Sequence, residues 1–111
     1  MDDLPIARCV RTAAEDKKAF DLVELDVREL SSVTDRVLIM SGSSPPHLKA
    51  LQQEICLRLK REGHPVHRVS GIPESGWVVL DFIHVVAHLF LSDVRRYYAL
   101  EELWSDAPRV P

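Results

Sequence analysis

Five histidines and two cysteines are the groups in this chain whose spacing first invites chemistry. His84 and His88 lie four apart, a separation that on a helix would let both bind one ion. The residues around them argue for a strand, where four positions span roughly 13 Å, too far for shared ligation at zinc's ~2 Å bonds. His64 and His67 bracket Pro65 with no Cys, Asp or Glu at ligand spacing. Neither a metal site nor a cofactor is expected. His88 is instead expected to be satisfied by a hydrogen bond, inside a sheet or at an interface. Cys9 and Cys56 occupy apolar positions of two predicted helices and read as free buried thiols in a reducing compartment.

Gly42-Ser43-Ser44 sits between an apolar run and a helix start, much like the turn with which nucleotidyltransferases hold a triphosphate. Its N–H groups could meet an anion at the helix start, but the chemistry needs carboxylates to hold two metal ions. About ten residues on, where an acidic pair is required, the chain reads Leu51-Gln52-Gln53-Glu54. Ser31 and Ser32 near Asp35 read as a polar loop rather than a nucleophile and its base. No P-loop, nucleophile elbow or dinucleotide fingerprint occurs. The chain is not expected to be an enzyme, and the glycine-serine turn reads as helix-start chemistry.

The elements that would position these groups are organised around Trp77 to Phe90, written WVVLDFIHVVAHLF. Two runs rich in β-branched and aromatic residues, Trp77 to Leu80 and Val85 to Leu91, are joined by a short connection and predict an antiparallel hairpin. Pleating puts Trp77, Val79 and Asp81 on one face and Val78, Leu80 and Phe82 on the other. In the second run Val86, His88 and Phe90 share a face. Both faces are apolar, so the hairpin belongs near the middle of a sheet or under a partner.

Ahead of it, a helix is predicted from Asp3, its cap, to about Lys18, with Ile6, Cys9, Val10, Ala13 and Ala14 as its apolar stripe. Leu22 to Val27 alternates Val23, Leu25 and Val27 against Glu24 and Asp26, as a strand with one wet face does. Val37 to Met40 suits a strand buried on both sides. Ser44-Pro45 starts a helix whose ridge is Leu48, Leu51, Ile55 and Leu59, closed by Gly63. Val66 to Val69 predicts a strand, Gly71, Pro73 and Gly76 a turn, Asp93 to Trp104 a last helix, and the end a frayed tail. The fold class is therefore α+β: a single domain over residues 1–111, with a mixed five-stranded sheet flanked by helices.

Length and charge bound the function. The 111 residues suffice for one core, and the net charge of −3 argues against a grip on nucleic acid through many phosphates. It suits a basic protein partner. No run approaches a membrane span. The acidic start is unlike an export or import signal, and a cytoplasmic location is expected.

The segments DLVELDVRELSSVTDRVLIMSGSS, GWVVLDFIHVVAHLF and RRYYALEELWSDAP closely resemble the ribosomal silencing factor family, also called the Iojap family. Trp77-x-x-Leu80-Asp81, Val86-x-His88-x-Phe90 and Tyr98-x-Leu100-Glu101-x-Leu103-Trp104 carry the resemblance in order and spacing. It implies a nucleotidyltransferase-like fold without the catalytic carboxylates, in keeping with Gln52-Gln53. It further implies binding to the large ribosomal subunit through its protein numbered fourteen, on the face that receives the small subunit, so that joining is blocked and translation falls when nutrients are short. The chain departs from the family at Arg36-Val37, where an aromatic pair is common, and at Phe82-Ile83-His84, where Tyr-Gly-Asp is common.

Trp77, Leu80, Asp81, Phe82, His84, Val86, His88 and Phe90 are the candidates for the contact surface, with Phe82 and His84 expected to be exposed at the turn. Trp104 with Tyr97 and Tyr98 reads as a lid on the core. Arg95 and Arg96 read as solvated side chains, one of which could reach adjacent ribosomal RNA. Three alternatives stay open: an assembly factor for the large subunit using the same surface, a homodimer off the ribosome, and a nucleotidyltransferase-like enzyme.

Overall fold

In a computed structural model, residues 4–110 are described, apart from the side chains of Leu4, Glu101 and Leu103. The elements are α1 (Leu4–Asp16), β1 (Phe20–Asp26), β2 (Arg36–Gly42), α2 (Pro45–Arg61), β3 (Arg68–Ile72), β4 (Trp77–Asp81), β5 (Val85–Leu91), α3 (Ser92–Tyr98), α4 (Leu100–Leu103) and β6 (Arg109–Val110). The strands form one sheet in the order β3-β4-β5-β2-β1-β6. β2 and β5 pair in parallel and the other neighbours are antiparallel. The mixed α+β sheet expected from the sequence is present, with six strands rather than five.

Local chemistry accounts for the boundaries. Ser44 caps α2 by accepting the His47 N–H, with Pro45 at the first position, where the missing N–H costs nothing. Leu48, Leu51, Ile55 and Leu59 are the buried residues of that helix, as its spacing predicts. In α1 the stripe Ile6, Val10, Ala13 and Ala14 is buried, joined by Ala7. The proposed cap Asp3 lies outside the described residues. β2 is buried along its whole length.

Four expectations are corrected. The tail is not frayed at Arg109–Val110: Glu24 pairs with Val110 and Leu25 with Arg109, while Asp26 N–H donates to the Pro108 carbonyl at 3.0 Å. A two-residue strand carries no periodic signal in sequence. The third strand lies at Arg68–Ile72, beyond the predicted Val66 to Val69, and runs through Gly71. That glycine has φ +79°, and a Cβ there would overlap the Trp77 carbonyl, so the residue that looked like a turn is what lets β3 approach β4. The last helix is broken at Ala99, which takes a left-handed conformation. Glu24, expected on a wet face, is 5 % exposed and accepts from Arg36 Nη1 at 2.9 Å and Arg11 Nη1 at 3.0 Å. Two guanidinium groups make burial of that carboxylate tolerable.

The sheet thus has two unlike faces. Under α1 and α2, Leu38, Met40, Val78, Leu80, Val85, Ala87 and Leu89 form one closed cluster with the helix ridges. On the other face, Leu25, Val27, Val37, Ile39 and Phe90 are covered by Val94, Leu100, Trp104 and Ala107. That cover lies over the β1–β2 half and the end of β5 at Phe90.

Candidate functional site

The β3–β4–β5 half of this second face has a register that places Ile72 opposite Trp77 and Ser70 opposite Val79, then Val79 opposite His88 and Asp81 opposite Val86. Cross-strand partners share a face. One surface therefore gathers Ser70, Ile72, Trp77, Val79, Asp81, Val86 and His88. Ile72 is 58 % exposed, while Trp77, Val79, Asp81, Val86 and His88 are half-buried.

Trp77 is the fixed point of the surface. Its ring stacks on Phe90 at 5.0 Å and leans on Tyr98 at 4.5 Å, geometries that add to plain burial. Its indole N–H donates to His88 Nδ1 at 3.1 Å. Burial pushes His88 down to about 4, so the imidazole is neutral at physiological pH. Tyr98, half exposed, closes a groove of about 330 Å³ with Ser70, Gly71, Ser75, Trp77 and Val79.

The sequence candidates separate accordingly. Trp77, Asp81, Val86 and His88 stand together on the open surface. Leu80 and Phe82 point the other way into the helix-covered cluster, and Phe90 lies fully buried beneath Trp77. Phe82 was expected at the surface and is 5 % exposed. The pleat that buries Val78 and Leu80 simply runs on through it, and its N–H closes the turn on the Val85 carbonyl at 2.8 Å. Ile83, with φ +74°, takes the exposed tip. His84 is half-buried with Nδ1 3.4 Å from Asp35 Oδ2.

Sequence reasoning missed Ile72, Val79 and Tyr98. With β3 placed too early, Ser70 and Ile72 had no partner strand. Val79 shares its face with Trp77 by simple alternation, a signal that was available. The lid also divides: Trp104 packs on the core, Tyr98 rims the groove, and Tyr97 is 82 % exposed. Arg95 is not solvated, since its Nη1 donates to the Asp21 carbonyl at 2.7 Å and to Ser41 Oγ at 2.8 Å. Arg96 is exposed.

The glycine-serine turn is engaged structurally. Ser43 N–H donates to His47 Nδ1 at 2.9 Å, and His47 Nε2 meets the Lys17 carbonyl at 2.6 Å, so the glycine-serine turn is tied to α2 and to the end of α1. Cys9 and Cys56 are free, and burial raises both thiols above their ordinary range. Among the described residues no group of three or more His, Cys, Asp or Glu is placed to hold a metal ion.

The family model described as "Ribosomal silencing factor during starvation" matches residues 2–111. The chain belongs to the ribosomal silencing factor family. A ribosomal silencing factor of Bacillus subtilis is 38 % identical over 108 residues, 97 % of this chain and 92 % of that one. A crystal structure of a Chromobacterium violaceum protein superposes with a TM-score of 0.90 at 34 % identity, covering 95 % of this chain and 88 % of the other. A mouse protein, "Mitochondrial assembly of ribosomal large subunit protein 1", is 32 % identical over 92 residues, 80 % of this chain and 40 % of that one.

Arg36 and His84, two positions expected from the sequence to depart from the family, are both engaged in the structure. Arg36 is the buried partner of Glu24. His84 faces Asp35 across the turn.

Proposed function

We propose that the chain binds the large ribosomal subunit with the open half of its sheet, through the subunit's protein numbered fourteen, and thereby keeps the small subunit from joining. The observation that carries this reading is the exposed aromatic and aliphatic surface around Trp77, Val79 and Ile72 in a chain of this family. Protein interfaces concentrate energy in such anchors, ringed by polar groups that exclude water, and Asp81, Ser70 and Arg68 stand at the edge here. The mechanism is steric: translation falls because a face is occupied, and no bond is made or broken. Of the arginine pair, the exposed Arg96 is the one that would reach adjacent ribosomal RNA. The factor would work in the cytoplasm, where the subunits meet. Among the described residues no helix is long and apolar enough to cross a membrane.

Purified subunits mixed with the protein and resolved on a sucrose gradient test the reading. Free subunits should accumulate, with the protein travelling with the large one. Trp77→Ala with Ile72→Ser, confirmed folded by circular dichroism, should restore joining. A protein that stays at the top of the gradient and leaves joining untouched would sink the reading.

The mouse relative's name favours a second role, assembly of the large subunit, through the same surface. Removing the gene separates the two: an assembly role leaves immature large-subunit particles, whereas a silencing role leaves mature subunits that join when they should not. Off the ribosome the same apolar surface would pair two copies, in competition with docking.

A further inference from the structure

We infer that His88 is the polar reader of the docking face: its ring, held with Nδ1 toward the Trp77 indole, offers Nε2–H to an acceptor oxygen on the docked protein. This rests on the docking reading above and names the chemistry that the surface selects.

The argument begins with the indole, whose Nε1–H can donate and cannot accept. At 3.1 Å from His88 Nδ1, it requires that nitrogen to carry a lone pair. In the neutral ring the proton then sits on Nε2. Trp77 is itself held between Phe90 and Tyr98, so the tautomer is set by packing before any partner arrives.

Among the described residues the Trp77 indole is the one hydrogen-bond partner of His88, so Nε2–H has no acceptor there. On this face the neighbours of His88 are apolar: Val79 across β4, Ile39 across β2, and Val86 and Phe90 along β5. Among the described residues no fully enclosed side-chain nitrogen or oxygen lacks a partner, so Nε2 keeps access to water in the free protein. Docking strips that water. A partner that brings a carbonyl or carboxylate oxygen over this point satisfies the donor, and one that brings a methyl group leaves it unsatisfied in an apolar setting, which is strongly disfavoured. An apolar patch alone would accept any greasy surface, and a single oriented donor within it makes the patch selective.

Two measurements test this on the full chain. Long-range nitrogen–proton NMR of labelled protein should show His88 with Nδ1 unprotonated and Nε2 protonated across neutral pH. Trp77→Phe, which keeps a ring and removes the donor, should mix the two tautomers. A wild-type ring protonated on Nδ1 would overturn the inference. The second measurement is binding to isolated large subunits. His88→Gln carries an amide nitrogen to about the same place as Nε2 and should bind within about threefold of wild type, whereas His88→Leu should lose about tenfold or more. Leucine binding as well as histidine would overturn the inference. Wild type failing to bind large subunits would defeat the docking reading, and with it the reader role, even if the tautomer is as stated.

Discussion

Under α1 and α2 the sheet is sealed, with Leu38, Met40, Val78, Leu80, Ala87 and Leu89 showing no exposed surface. Across the sheet the same strands carry Trp77, Val79, Val86 and Phe90, but α3, α4 and the tail cover the β1–β2 half and reach beyond it only to Phe90 and Trp77. Ile72 and Tyr98 are more than half exposed there, and Trp77, Val79 and Val86 are half-buried. Alternation along β4 and β5 dictates two apolar faces, and the chain supplies helices for one and a half of them. Apolar area left uncovered in this way contributes little to folding and remains free to contribute to binding. The contrast predicts that mutations on the sealed face act on stability, and those on the open half act on docking.

The largest effect should come from the sealed face. Leu51→Ala removes a buried side chain from the ridge of α2 and should cost about 2–5 kcal/mol, read by urea denaturation. Any loss of ribosome binding should track the unfolded fraction. Next comes the half-buried imidazole on the open half. His88 stays neutral in the folded chain down to about pH 4, while the unfolded chain takes up its proton near 6.5. The unfolded state therefore binds more protons as pH falls through this window, and stability falls with it, by on the order of 3 kcal/mol at the acid end. His88→Gln should flatten that limb relative to wild type. Asp81, Arg68 and Tyr98, the ionisable groups around this face, are common to both chains.

Smaller still, Ser44→Ala removes the cap of α2 and should cost about 1 kcal/mol with docking unchanged. At the bottom of the scale, Ile72→Ser on the open half should shift stability by only about 0.5 kcal/mol. It should nevertheless weaken binding to large subunits measurably, which is the inverse of the Ser44 result. If Ile72→Ser instead unfolded the protein, the division between the two faces would be wrong.

Much of the fold was legible because its signals are local. The Ser44-Pro45 start, the ridge Leu48, Leu51, Ile55 and Leu59, and the unbroken burial of β2 follow from capping, helical spacing and a short apolar run. The hairpin was legible too, and pleating alone puts Phe82 with Leu80. What was hidden depends on contacts distant in sequence. Glu24 and Asp26 alternate like a wet face, and nothing in that alternation shows that Arg36 and Arg11 will converge on Glu24. Arg95 reads as one of two surface arginines until Asp21 and Ser41 are seen beside it. The docking face itself needs the β3–β4 register, and that depends on Gly71 serving as a strand residue. Its left-handed conformation belongs to turns in most sequences.

The most direct measurement of the division between the faces is side-chain footprinting by hydroxyl radicals, on the protein alone and bound to purified large subunits. Binding should protect Ile72, Trp77 and Tyr98, while Leu57, exposed on α2, should be modified equally in both states. Protection of Leu57 with Ile72 and Tyr98 unchanged would contradict the account and move the docking surface to the helical side.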